Sequence, residues 1–139
     1  MNKIYIQGTF GAYSHLAALE IEPNAEVIPC KTFDECFLKT SSESGSRMVI
    51  PESNRITGNI GIEYLIFKYR LNIYAEHFQK IEHNLLGQKG SSLKDIKDVF
   101  SHTQGLSQCS NFIKKNNFIE HVRADTAGSA ETISKKKIK

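Results

Sequence analysis

The sequence predicts an α/β protein built in two lobes with a cleft between them. Three observations carry that prediction. Short apolar runs alternate with segments of helical spacing from Lys3 onward. Turns rich in small residues follow the apolar runs. Residues 71–86 hold Ile73, Tyr74, His77, Phe78, Ile81 and Leu85 with no helical stop signal, and separate two such alternations. The order reads βαβαβα, a long crossing strand, then αβαβα, which is the pattern of an α/β architecture. Lobe 1 is expected over residues 1–76 and part of lobe 2 over 77–139.

The elements follow in order. Lys3, Ile4, Tyr5 and Ile6 are strand formers. Gly8 and Gly11 bracket a turn, and residues 13–20 have helical spacing through Leu16, Ala17, Ala18 and Leu19. The two glycines do not make a GxGxxG fingerprint, so a dinucleotide is not indicated. Residues 27–30 form a second strand. Thr32-Phe33-Asp34-Glu35 fits a capping box, and Phe33, Cys36 and Phe37 give the following helix its apolar face. Residues 47–50 form a third strand, stopped by Pro51, and 52–61 a loop rich in Gly, Asn and Ser. Ile62, Leu65, Ile66 and Tyr69 line one face of a helix over 62–69. A short helix is expected over 92–98, with Leu93 and Ile96 inward. Strands follow at 98–100 and 118–122. One helix runs from the turn at Ser101 through Phe112 and Ile113, and a last helix spans 126–133.

Composition narrows the function. The chain has 139 residues, 40% hydrophobic and 24% charged, with a net charge of +3. That is ordinary for a globular domain. Much of the positive excess sits in Lys135, Lys136, Lys137 and Lys139, read as a solvated tail. No interleaving of aromatic and basic residues suggests stacked bases, so nucleic acid is not an expected partner. No apolar run approaches a membrane span, and no apolar leader follows Lys3. Cys30, Cys36 and Cys109 are three cysteines without a CxxC pair. That count argues against a disulfide framework or a zinc site and for reduced, packed thiols in the cytoplasm. Cys30 has no identifiable base to make it a nucleophile, and Cys109 falls within a helix, facing the core. His77, His83 and His121 show no ligand spacing.

Ligands in open α/β sheets sit outside the carboxyl ends of the strands. The turns near 8–14, 51–58, 101–105 and 125–129 are therefore the expected lining. The last two each follow a strand and open a helix. Asp125 or Thr126 is placed to cap the final helix, with Ala127 and Gly128 leaving amides bare. A helix N-terminus with bare amides favours an anion. Two such termini gripping carboxylates is one reading of Ser101, Gln104, Gly105, Thr126, Ala127 and Gly128; two ordinary strand-to-helix turns is the other. Ser14 either donates to a substrate or caps the first helix. Ser53 and Asn54 either contact a ligand or make a structural Asn turn. His102 is either a general acid or a residue packed beside the strand end, and the lack of an evident partner favours the second.

These residues also carry a resemblance. Gln7-Gly8-Thr9-Phe10-Gly11-Ala12-Tyr13-Ser14-His15-Leu16-Ala17-Ala18 resembles the opening Gly-x-x-Gly-(Ala/Thr)-(Tyr/Phe)-Ser-His-x-Ala-Ala of the prephenate dehydratase catalytic domain. Ser101-His102-Thr103-Gln104-Gly105-Leu106-Ser107-Gln108-Cys109 is similar to that family's Ser-His-Pro-Gln-Ala-Leu-Ala-Gln-Cys. His83-x-Leu85-Leu86 and residues 125–131 also match. The resemblance implies a two-lobed fold similar to type II periplasmic binding proteins. It implies decarboxylating dehydration of prephenate, a dicarboxylate, to phenylpyruvate on the route to phenylalanine, with no metal or organic cofactor. Ser14 and Asn54 take the catalytic positions. Ser53, Gly58, Ser101, Gln104, Gly105, Thr126, Ala127 and Gly128 take the substrate-binding ones.

Two departures leave an alternative. The family loop Pro-x-Glu-Asn-Ser-x-x-Gly meets Pro51-Glu52-Ser53-Asn54-Arg55-Ile56-Thr57-Gly58, so Ser53 falls on the Glu position and Arg55 on the Ser position. The family's Thr-Arg-Phe motif, the return crossing and the regulatory ACT domain would lie past Lys139, so the second lobe is expected to be incomplete. A catalytically incompetent fragment, or a small-anion-binding module of the same fold, is the second reading. Self-association into a homo-oligomer is expected in either case, because an unfinished sheet leaves an edge and apolar faces exposed.

Overall fold

A computed structural model describes residues 2–56 and 58–136. It divides into two compact units, residues 1–81 and 82–139, so the division falls after Ile81, where the sequence suggested one after Glu76.

Unit 1 is a βαβαβ arrangement. Its strands are β1 (Lys3–Gln7), β2 (Glu26–Cys30) and β3 (Arg47–Val49), with α1 (Tyr13–Ile21) and α2 (Phe33–Ser42) between them. The strands are parallel in the order β2-β1-β3. β1 is central, and Ile4, Tyr5 and Ile6 are all buried, as a parallel strand covered on both faces requires. Ile4 and Ile6 pack with Ala18 of α1, Val27 and Val49. Tyr5 packs the other way, with Cys30, Cys36 of α2, Ile28 and Met48. The period-two alternation of β1 thus sends one helix to each face. Pro29 is tolerated because β2 lies at the sheet edge, where its missing N–H interrupts no ladder.

Thr32 caps α2 by accepting from the Glu35 amide at 3.1 Å, and the Glu35 carboxylate takes the Lys31 amide at 2.8 Å. The return bond therefore reaches one residue upstream of the cap itself. Phe37 is fully buried with Ile62 and Leu65 of the following segment. There α3 (Glu63–Tyr69) ends on Arg70 in the left-handed conformation. Between Pro51 and α3, the expected loop contains a two-residue antiparallel pairing of β4 (Ser53–Asn54) and β5 (Gly58–Asn59).

Residues 71–88 form no helix and no strand, so the crossing strand read from the sequence is not one. Apolar residues there never alternate strictly, and the segment pairs with none of the described strands.

Unit 2 begins its regular structure with one 3₁₀ turn, Leu93–Asp95, in place of the helix expected over 92–98. A true capping box between Ser92 and Asp95 satisfies the local amides, and Ile96 then turns extended. β6 (Asp98–Ser101) and β7 (Ile119–Val122) pair in parallel. The expected single helix between them is two: α4 (Thr103–Gln108) and α5 (Ser110–Lys115). They break at Cys109, whose amide bonds both Gly105 O and Leu106 O at 3.1 Å. Cys109 is thus a half-buried joint and not a core residue inside one helix. Val99, Leu106 and Ile113 form the core, with Ile96, Cys109 and Phe118 against it. α6 (Thr126–Lys136) follows β7. Lys135 and Lys136 are exposed at its end, while Lys137 and Lys139 lie outside the described residues.

Candidate functional site

In unit 1 the chirality of the connections puts two loops side by side. β1 and β3 are neighbours, and the strand order reverses between them. Such a switch point opens a crevice at the carboxyl ends of the two strands. The turn after β1 starts at Gly8, whose amide bonds Cys30 O at 2.9 Å. Its φ of +112° is a conformation that suits glycine. The cap of α1 is Ala12, not Ser14. His15 supplies the capping instead, its Nδ1 accepting from the Gly11 amide at 3.0 Å. Phe10 stands edge-on to the His15 ring at 5.2 Å. Ser14 sits half-buried in the first turn, and its hydroxyl makes no hydrogen bond among the described residues.

The loop after β3 is braced by its own side chain. Asn54 Oδ1 accepts from the Ile56 amide at 2.9 Å, an Asx turn. Asn54 is half-buried, whereas Ser53 and Gly58 are exposed on the small hairpin. Thr57 lies outside the described residues. Two hollows of unit 1, one of about 180 Å³ beside Lys3 and Glu43 and one of about 560 Å³ beside Ile66 and Phe67, touch none of these residues.

In unit 2 the two turns singled out by sequence meet. Ser101 ends β6 and Thr126 begins α6, and their hydroxyl oxygens are 2.9 Å apart. The Arg123 amide bonds Ser101 O at 2.9 Å, which pins the exit of β7 beside the exit of β6. Gly105, buried in α4, lies directly behind the pair. His102 caps α4, its Nδ1 accepting from the Gln104 amide at 3.3 Å. It therefore serves the start of a helix, through a partner that the sequence did not show. Gln104 is exposed on the first turn.

Asp125, not Thr126, caps α6. Its Oδ1 accepts from the Gly128 amide, and Ser129 closes the turn by donating to Asp125 O at 2.7 Å. One amide of the expected cradle is thus already bonded to a carboxylate. The contact illustrates how this helix start receives a carboxylate, since negative charge there is favoured by the helix dipole. Thr126 is exposed, and Ala127 and Gly128 are half-buried.

Two further pairings escaped the sequence reading. His83 bonds Gln108 at 2.7 Å, joining the His83-x-Leu85-Leu86 stretch to α4. His121 bonds Asp98 at 2.6 Å while stacking on Phe100, whose ring also lies 4.9 Å from the Arg123 guanidinium. Strand register could have suggested the second, because Phe100 and His121 are direct partners across the ladder. Cys30 and Cys36 are buried, and burial pushes both thiols up, away from the thiolate a nucleophile needs. No group of three metal-ligating side chains occurs among the described residues.

The family model described as prephenate dehydratase matches residues 4–139. The chain belongs to the prephenate dehydratase family. It is 37% identical over 99% of its length to arogenate dehydratase 2 of Petunia hybrida, covering 35% of that protein. A solved structure described as GqqA, a novel type of quorum quenching acylase, superposes with a TM-score of 0.80 at 32% identity. This chain covers 49% of it and is itself covered over 95%. The prephenate dehydratase of Staphylococcus aureus superposes with a TM-score of 0.68 at 24% identity, with 95% of this chain and 51% of that one covered. That likeness establishes the mixed α/β fold with parallel sheets. The chain spans about a third of the length of the plant relative it matches, at 35%.

Proposed function

We propose that this chain serves a prephenate dehydratase, whose reaction turns prephenate into phenylpyruvate, carbon dioxide and water. The observation that carries the proposal is the meeting of Ser101 and Thr126, 2.9 Å apart at the carboxyl ends of neighbouring parallel strands. The family match over residues 4–139 supports the reaction class. Ser101, Gln104, Thr126 and the Ala127 amide hold carboxylate, the Gly128 amide being taken by Asp125, and the positive end of α6 favours the charge. Ser14, in the first turn of α1, and Asn54, in the loop after β3, stand at the positions that the family resemblance assigns to catalysis, with Ser53 and Gly58 shaping that loop.

The chemistry needs little machinery. The C–COO bond breaks, its electron pair enters the ring, and the C–OH bond opposite breaks with its pair leaving on oxygen. Hydroxide is a poor leaving group unless a donor shares a proton with it as the bond opens. Aromatisation supplies the driving force. A site that excludes water strengthens each hydrogen bond to the developing charge. No metal or organic cofactor enters this scheme. The three free thiols suit a reducing compartment such as the cytoplasm, and no helix among the described residues is long and apolar enough to cross a membrane.

The Petunia relative's name favours a close variant, arogenate as substrate. Arogenate keeps the ring carboxylate and the hydroxyl, and differs only in its side chain. The catalytically incompetent fragment or anion-binding module remains the contrasting reading, motivated by Ser53 and Arg55 in the crevice loop. Chromatography of reactions containing the product of the complete reading frame separates them. Phenylpyruvate from prephenate, or phenylalanine from arogenate, with turnover reduced by Ser14→Ala, is the expected result. No product from either substrate overturns the proposal, and release of an acid from an N-acyl-homoserine lactone alone would redirect it to the first activity in the name of a relative, the bifunctional N-acyl-homoserine lactone acylase/prephenate dehydratase of Komagataeibacter europaeus.

A further inference from the structure

The turn that carries Ser14 is closed by an imidazole. The chain leaves β1 through Gly8 and Gly11, whose φ values of +112° and +87° lie in the left-handed region. Glycine reaches that region without strain, but it also keeps the widest backbone freedom. A Cβ at Gly11 would meet nothing within 4 Å beyond its chain neighbours, so packing does not hold this corner. Hydrogen bonds hold it. The Ala12 amide donates to Thr9 O at 3.1 Å, and the Gly11 amide donates to His15 Nδ1 at 3.0 Å. Ala12, the cap of α1, contributes no side-chain bond.

The start of α2 is closed in the same way by a carboxylate. Glu35 stands three residues past the cap Thr32 and takes the amide of Lys31, one residue before that cap, at 2.8 Å. His15 stands three residues past the cap Ala12 and takes the amide of Gly11, again one residue before the cap. The spacing is the same and only the accepting atom differs. An imidazole nitrogen accepts when it carries no proton, so the hydrogen of the neutral ring sits on Nε2. Phe10, edge-on at 5.2 Å, braces the ring. Ser14 lies between the cap and the acceptor, and its hydroxyl makes no hydrogen bond among the described residues. Its place is therefore set by the backbone of the turn. We infer that His15 is a positioning residue, whose Nδ1 locks the Gly11 corner and thereby sets where the Ser14 hydroxyl stands. The inference rests on the proposed catalytic position of Ser14, whereas the acceptor role of His15 stands without it. A donor to a leaving hydroxyl acts only as the C–O bond opens, so a displaced Ser14 lowers turnover and leaves substrate binding alone.

The test compares His15→Leu, which keeps bulk without an acceptor, with His15→Gln and His15→Glu, which restore one. Each is made in the product of the complete reading frame. In thermal melts, His15→Leu lowers Tm and the two acceptor variants stay near the wild type. A Tm unmoved by His15→Leu overturns the acceptor role. With prephenate, His15→Leu lowers kcat about ten- to a hundredfold at nearly unchanged KM, as expected when a reacting group is displaced by about 1 Å. His15→Gln and His15→Glu restore kcat. In the Ser14→Ala background, His15→Leu costs no further turnover. Multiplying losses in the double variant, or a loss that neither acceptor restores, overturn the positioning role while the proposed reaction stands. No turnover by the wild type overturns the reading of Ser14 and with it the positioning role, and the melts then decide the acceptor role alone.

Discussion

Thr126 is the residue on which the proposed binding depends, because its hydroxyl is exposed while bonded to Ser101. Thr126→Val keeps the shape and removes the donor. A hydrogen bond to a charged group contributes about 1.5–3 kcal/mol, so the variant should bind phenylpyruvate about tenfold or more weakly at nearly unchanged Tm. Asp125 behaves oppositely. It caps α6 through the Gly128 amide, so Asp125→Ala should cost unit 2 about 1 kcal/mol of stability, read by chemical denaturation, while Asp125→Asn should cost little. Sequence alone left the cap between Asp125 and Thr126, since both residue types cap helices. What decides is that the Thr126 hydroxyl is engaged by Ser101, a contact across 25 positions that no local pattern encodes. The same limit explains Ser14. Its residue type suits a cap, but His15 reaches the Gly11 amide, and no short motif announces a histidine in that role.

Among the elements, α2 was the most legible, because its cap and its apolar face are local. Its Phe37 is wholly buried, and Phe37→Ala should cost about 3–5 kcal/mol in denaturant melts. The chain beyond α2 adds a pH dependence. Glu43 accepts from Lys3 and from Tyr5 of β1. The Lys3 bond first, then the Tyr5 bond, holds the Glu43 carboxyl below its ordinary 4.5. A lowered carboxyl stabilises the folded state fully above the unfolded value and loses that contribution as pH falls through the folded one. Stability should therefore decline as pH drops below about 4.5, and Glu43→Gln should flatten the decline. An unchanged slope in the variant would show that other carboxyls, such as Asp34 beside Lys68, set it. The α4–α5 break was illegible for a related reason. Helical spacing runs straight through Cys109, and only its shared amide bonds mark the joint. Residues 71–88 failed as a strand because a strand needs a partner, and the partner is not a property of the segment.

For the whole molecule, sequence order carried the architecture of each unit. The alternation of apolar runs and helices gave the parallel strands of both, and the strand order of unit 1 reverses between β1 and β3. Apolar surface remains uncovered. Phe67 and Phe78 are each 87% exposed and Ile56 is 73% exposed, more than scattered surface residues require. Sedimentation velocity should show the mean mass rising with concentration, and a monomer across the whole range would contradict this. Binding of a substrate carboxylate by Ser101 and Thr126 is the central claim. Its most direct test is the KM for prephenate of the product of the complete reading frame, wild type against Thr126→Val, with phenylpyruvate followed as product. The account predicts turnover by the wild type and a KM raised about tenfold in the variant; no phenylpyruvate from the wild type, or a KM that does not move, would contradict it.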